Sequence, residues 1–301
     1  MEVTVKDRKN KDLGKFTVNE NMTVKDFKQL YEKEAKVKKM NANRQWFNLN
    51  EIKGAALSDQ TKTLKSYGVQ DGDTFYLKDL GPQISWKFVF LCEYFGPIAI
   101  FLILYYFRRF IYSGAENVPL TFTQKAGFFM VIGHYVKREL ETLFIHRFSS
   151  ATMPFSNLFK NCTHYWIIFG VLIGYFLFHP KYTEPAYLPM NVKYALIGLF
   201  VFFELMNFLT HNVLKNLRKP GSTERGIPSG YGFGLVSCAN YFWETLAWTS
   251  YSVFSGTLTS YIFLAVSFFQ MTDWALKKHK RYKKEFPNYP KNRTAIIPFL
   301  L

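Results

Sequence analysis

Residues 88–107 read FVFLCEYFGPIAIFLILYYF, twenty positions with Glu93 as the one charged side chain. As a helix this stretch covers about 30 Å, the thickness of a bilayer's hydrocarbon core. It divides the chain: the residues C-terminal to it read as membrane protein, and those N-terminal to it must fold on other terms. Arg108-Arg109 end the stretch and read as a cytosolic or headgroup anchor. Further apolar runs lie at 126–145, which turns polar on one face, and at 165–178, 193–214 and 245–270. The last is one long span or two short ones broken near Ser255-Gly256, so five to seven spans are expected.

The bulk composition agrees once it is divided. Mean hydropathy is −0.07, a soluble-looking value that averages two unlike parts. Of 38 Lys/Arg and 22 Asp/Glu, residues 1–80 hold 16 and 12, so most of the net charge of +16 sits with the apolar part. Basic flanks on a membrane protein, or a polyanionic ligand, fit this better than nucleic acid, for which no basic helix with base-reading residues is present. Cys92, Cys162 and Cys238 are far apart and read as buried thiols rather than disulfides. The charged first 35 residues are no signal peptide, which predicts a cytosolic N-terminus.

Residues 1–80 predict a small α+β domain. MEVTVKD and GKFTVNE alternate about a Lys9–Asp12 turn, as a hairpin does. Thr23, with Asp26 three on, opens a helix carrying Phe27, Leu30, Tyr31 and Ala35 at helical spacing. RQWFNL comes next, then a short helical turn at 63–69, an Asp71-Gly72 turn and a closing strand. The order looks like a ubiquitin-like β-grasp, read as a docking or folding module without the Gly-Gly ending that conjugation needs. Residues 81–301 form the second predicted domain, all-α and multi-pass.

Ionisable groups inside spans are costly and face the bundle interior or water. Glu93 is either a helix-paired carboxylate or a contact for a substrate carbonyl. In His134-Tyr135-Val136-Lys137-Arg138-Glu139-Leu140-Glu141, His134 and Arg138 share a face and Glu141 can pair with Arg138 or Lys137. Glu204 opens a third set with Asn207 and His211 on one face, then Asn212, Lys215, Asn216, Arg218 and Lys219, a run suited to phosphate groups or to a positive-inside loop. In LVSCANYFWETLAW (235–248), Asn240 and Glu244 point the same way with Tyr241 on the next strip, a polar pocket beyond what packing requires. The tail from 279 to 301 is basic, with Tyr282, Phe286, Tyr289 and Pro290 spaced as in a folded cap. No GxGxxG, HExxH or GxSxG occurs, and the six His lack di-iron spacing, so no metal site is expected. The sequons at Asn21, Asn161 and Asn292 read as chance matches.

GIPSGYGFGLVSCANYFWETLAW (226–248) and the tail YKKEFPNYPKNRTAIIPFLL (282–301) resemble the steroid 5-alpha-reductase family. HYVKRELETLFIHRFS (134–149), EYFGP in the first span and the β-grasp head are similar to that family's very-long-chain trans-2-enoyl-CoA reductase branch. The resemblance covers essentially the whole chain. It implies NADPH-dependent reduction of an enoyl-CoA double bond in a helical bundle of the endoplasmic-reticulum membrane, with head and tail cytosolic. It further implies a very-long-chain trans-2-enoyl-CoA substrate, lipid around the bundle and other fatty-acid elongation enzymes as partners. By position, Arg138, Asn207, Arg218, Asn240, Glu244 and Tyr282 would contact the cofactor and Glu93 and Tyr135 the substrate; Tyr241 and Lys137 would be the catalytic pair. His211 stands where steroid reductases carry Asp, and Arg225 is displaced by one. A steroid or polyprenol reductase of the same fold and a non-catalytic scaffold are the competing readings.

Overall fold

The structure is a computed structural model that describes residues 1–148, 151–217 and 226–301. The chain divides into two compact units, Met1–Trp86 with residues 151–157, and Lys87–Phe148 with residues 158–217 and 226–301.

In the first unit, β1 (Glu2–Asp7) and β2 (Asp12–Thr17) form the expected hairpin. Thr23 accepts from the Asp26 amide while Asp26 accepts from the Thr23 amide, a reciprocal cap on α1 (Val24–Glu34). β3 (Gln45–Leu49) and β4 (Thr74–Asp79) complete a sheet of order β2-β1-β4-β3, with β1 and β4 parallel and the other pairs antiparallel. Alternation along the strands puts Val3, Val5, Phe75 and Leu77 on the face that α1 covers with Phe27 and Tyr31. Phe27 meets the Phe75 ring edge-on at 4.9 Å. A short β5 (Gln83–Ser85) leads towards the second unit.

The second unit opens with α2 (Trp86–Tyr106), which holds Pro97 inside it, and the one-turn α3 (Arg108–Ile111). Arg108 is not an exposed anchor: it is buried, and its guanidinium donates to the carbonyls of Phe178 (2.7 Å) and Val118 (2.5 Å). A five-donor group can hold several chain-end carbonyls at once, which outweighs headgroup contact here. α4 (Phe122–Phe144) is capped reciprocally by Thr121 and Gln124. β6 (Thr152–Pro154), which belongs to the first unit and pairs there with β5, precedes α5 (Ser156–Cys162), a π-helical stretch at Thr163–Val171 and α6 (Leu172–Phe178). α7 (Met190–Asn216) and α8 (Ala239–Ser255) pack side by side. Gly256, with φ of +63°, ends α8, and α9 (Leu258–Glu285) begins two residues on. The 245–270 stretch is thus two helices.

Among the described residues, three helical stretches are long and apolar enough to cross a membrane: Trp86–Tyr106, Ser156–Phe178 and Met190–Asn216. α8 is shorter, at 17 residues, and α4 and α9 carry more polar side chains. The aromatic core beneath that site includes Phe101, Phe169, Trp248, Tyr251 and Phe263. The tail is folded, as its aromatic spacing predicts: the Ser237 and Cys238 amides donate to Thr294 and Ala295 carbonyls at 2.9 and 3.1 Å.

Candidate active site

The α4 sequence places His134, Lys137, Arg138 and Glu141 on one helical face, at i, i+3, i+4 and i+7. The same spacing on α7 aligns Glu204, Asn207 and His211, and on α8 Asn240 with Glu244. The three faces converge. The Lys137 Nζ lies 2.7 Å from Glu204 Oε2 and donates to Asn207 Oδ1 at 2.7 Å. Asn207 Nδ2 in turn donates to the Asn240 backbone carbonyl at 2.9 Å. His134 Nδ1 sits 2.8 Å from Glu204 Oε1 and its Nε2 3.5 Å from Glu244 Oε1, which also accepts from Trp248 Nε1 at 3.0 Å. Buried charges persist when they are paired and hydrogen-bonded, and here each carboxylate has a cation or imidazole against it.

Arg138 anchors a second cluster. Its Nη1 lies 2.6 Å from Glu141 Oε2 and 3.2 Å from His211 Nδ1, and its Nη2 donates to Tyr94 Oη at 2.8 Å. Donor atoms of Glu141, His146 and His211 fall within 4.8 Å of one another, a spacing a transition metal accepts. The guanidinium already holds the Glu141 oxygen and neutralises it, so the group works as an ion-pair network. The Tyr94 ring is tilted against that of Tyr135, centroids 6.2 Å apart.

The Tyr135 hydroxyl and Asn240 Oδ1 are buried without a partner. Buried polar atoms are seldom left so, and both adjoin the convergent faces. Glu93, 2% exposed, accepts from Asn161 Nδ2 at 2.7 Å. The Asn161 sequon is therefore a structural side chain turned onto a buried carboxylate.

The remaining predicted residues make other contacts. Tyr241, in the first turn of α8, packs on the cluster of Cys238, Met271, Ala275 and Ile296. Among the described residues the Lys137 ammonium is engaged by Glu204 and Asn207, and no hydrogen bond joins it to Tyr241. Tyr282 is buried against Tyr289, ring centroids 5.5 Å apart, with the Lys278 ammonium 5.8 Å above it. Beside them Ser237 Oγ makes 2.6 Å hydrogen bonds with both His279 Nδ1 and Tyr289 Oη. Arg218 and Arg225 lie outside the described residues. Sequence reading gave no role to Tyr94 or Asn161 and left Glu204 and His134 unassigned. The helical registers held the signal for the last two, but the partners they find are each other, 70 positions apart in the chain.

Residues 151–301 match the family described as 3-oxo-5-alpha-steroid 4-dehydrogenase. A very-long-chain enoyl-CoA reductase of Dictyostelium discoideum is 41% identical over 310 residues, covering 99% of this chain and 98% of the relative. The chain belongs to this family. It is also similar to proteins named trans-2,3-enoyl-CoA reductase-like, 37% identical over 79% of this chain and 68% of the relative in Mus musculus, and 35% over 94% and 78% in Homo sapiens. The family is one of oxidoreductases, and its matched region holds α5 to α9 with Glu204, Asn207, Asn240, Tyr241 and Glu244.

Proposed function

We propose that the chain reduces the trans-2 double bond of a very-long-chain enoyl-CoA with NADPH, the closing step of microsomal fatty-acid elongation. The observation that carries this is the convergence of α4, α7 and α8 on a buried polar cluster with the unpartnered Tyr135 hydroxyl and Asn240 oxygen. Similarity to enoyl-CoA reductases over nearly the whole chain supports the substrate class.

Arg138, Asn207, Asn240 and Glu244 would hold the nicotinamide cofactor, joined by Arg218 and Tyr282 for its phosphates and adenine. The donor set fits: an amide oxygen and amide nitrogens for a carboxamide, cations for phosphates, and an orphaned Asn240 Oδ1 awaiting a donor. When bound, the cofactor supplies a hydride for the β-carbon. The protein's own groups do the rest. Glu93, as the neutral acid, and Tyr135 take the thioester carbonyl: both hydroxyls donate to the oxygen where negative charge develops. Tyr241 gives a proton to the α-carbon. Lys137, held by Glu204 and Asn207, fixes charge at the cofactor end, and its action on Tyr241 passes through α8 rather than through direct contact. The apolar helices take the acyl chain, and the basic tail meets the CoA phosphates.

The head supports a ubiquitin-like β-grasp reading, since a helix covers a mixed sheet with β1 and β4 parallel at its centre. Residues 81–301 form a multi-pass helical bundle in the endoplasmic-reticulum membrane, with head and tail cytosolic and other elongation enzymes as neighbours. The family description favours a second reading, reduction of a 4-ene-3-ketosteroid. NADPH oxidation by detergent-purified protein separates them: a long-chain trans-2-enoyl-CoA is consumed and the steroid is not. The reverse outcome replaces the substrate, and inertness with both removes the enzyme reading in favour of a scaffold.

A further inference from the structure

Glu204 and Glu244 come from neighbouring helices, α7 and α8, and two like charges do not share a buried space unless something lies between them. His134 lies between them. Its ring is nearly sealed, with 2% side-chain exposure, and each nitrogen meets one carboxylate, at 2.8 Å and 3.5 Å. Trp248 holds the imidazole by its ring edge at 4.5 Å and Tyr135 at 4.8 Å, so the ring has one orientation. Glu204 is itself forked: Oε1 faces His134 and Oε2 faces Lys137, one helical turn further along α4. A continuous chain of polar contacts therefore runs Glu244–His134–Glu204–Lys137–Asn207–Asn240.

We propose that His134 is the positioning residue of the site: by bridging Glu204 and Glu244 it holds the cofactor-facing carboxylate and Lys137 in one register. This rests on the reading of Glu244, Asn207 and Asn240 as cofactor contacts. Every other member of the chain of contacts has either a second partner or a place in that reading, whereas the imidazole meets both carboxylates at once. Without it the two acids face each other across a gap of ring size. Glu244 then turns away, and Glu204 closes on Lys137 alone.

The test uses full-length protein in detergent, with NADPH affinity read from protein fluorescence and enoyl-CoA turnover read separately. His134→Phe keeps the ring's volume against Trp248 and Tyr135 but has no nitrogen; His134→Gln keeps a donor for Glu204. His134→Phe is expected to elute as wild type does but unfold at a lower temperature, since two buried carboxylates lose their shared partner, to bind NADPH about tenfold more weakly, and to lose about 10²-fold in kcat/KM, the scale of a misplaced reacting group. His134→Gln recovers part of both. A folded His134→Phe with wild-type affinity and turnover overturns the proposal, as does a His134→Gln no better than His134→Phe. If His134→Phe does not fold, Glu204→Gln, which keeps shape and loses charge, carries the test with the same expected losses and the same overturning result. Wild type that binds NADPH but leaves enoyl-CoA untouched removes the substrate reading and leaves the affinity comparison intact; wild type that binds no NADPH overturns both.

Discussion

The Tyr135 hydroxyl is buried without a partner, and a buried hydroxyl left so costs about 1–3 kcal/mol. That cost is tolerated only if something other than stability requires it. Tyr135→Phe is therefore expected to raise the unfolding temperature while lowering kcat/KM for enoyl-CoA; a variant both less stable and fully active would remove Tyr135 from the substrate site. Tyr241 carries the opposite signature. It packs among apolar neighbours, so Tyr241→Phe should leave stability and NADPH affinity unchanged and reduce turnover by about 10²-fold or more, the contribution of a general acid. Equal turnover would pass the proton to another donor. At this scale the sequence was most informative about which residues are polar out of place, Glu93, Asn240 and Glu244 among them. It could not show Lys137 engaged by Glu204 rather than by Tyr241, because that choice depends on how α4 rotates against α7.

Among the elements, the head was nearly complete in the sequence alone: alternation, a Thr–Asp cap and turn residues are local signals, and each marked its strand or helix. The break at Gly256 was legible as one of two alternatives for the same reason. The π-helical stretch at Thr163–Val171 was not, since its apolar run has no period that separates it from an α-helix. Here one glycine sets the spacing of two helices. Trp166 donates to the Cys92 carbonyl at 2.9 Å across Gly96, and a Cβ on residue 96 would fall 1.9 Å from the indole nitrogen. Gly96→Ala is expected to destabilise by about 1–3 kcal/mol, the cost of overpacking, and to blue-shift or quench the Trp166 fluorescence relative to wild type. An unchanged unfolding temperature would mean that α2 and the π-helical stretch separate freely.

For the whole molecule, pH acts on stability through the head. Lys28 on α1 is 5% exposed, and burial pushes its ammonium from 10.5 down to about 8. Below pH 8 both native and unfolded states hold the proton and the penalty is fully present. Between about 8 and 10.5 the unfolded chain binds a proton that the native head does not, so stability rises with pH. Burial raises the Tyr31 phenol to about 12, a loss that begins only above pH 10, where the unfolded phenol ionises at its usual 10.0. Urea titrations of the full chain, followed through head methyl resonances, should therefore show a rising midpoint from pH 8 to 10. Lys28→Met should abolish that slope and raise the midpoint at pH 7; a flat wild-type profile would show the ammonium to be solvated. The site in the second unit has a different consequence, one for biosynthesis. α4 brings His134, Lys137, Arg138, Glu139 and Glu141, and each Lys or Arg at mid-bilayer resists insertion by about 2.5–3.5 kcal/mol. Their partners on α7 and α8 are translated later, Glu204 70 residues after His134. Were α4 to enter a bilayer, its charges would go unmet until α7 and α8 had been made to receive them.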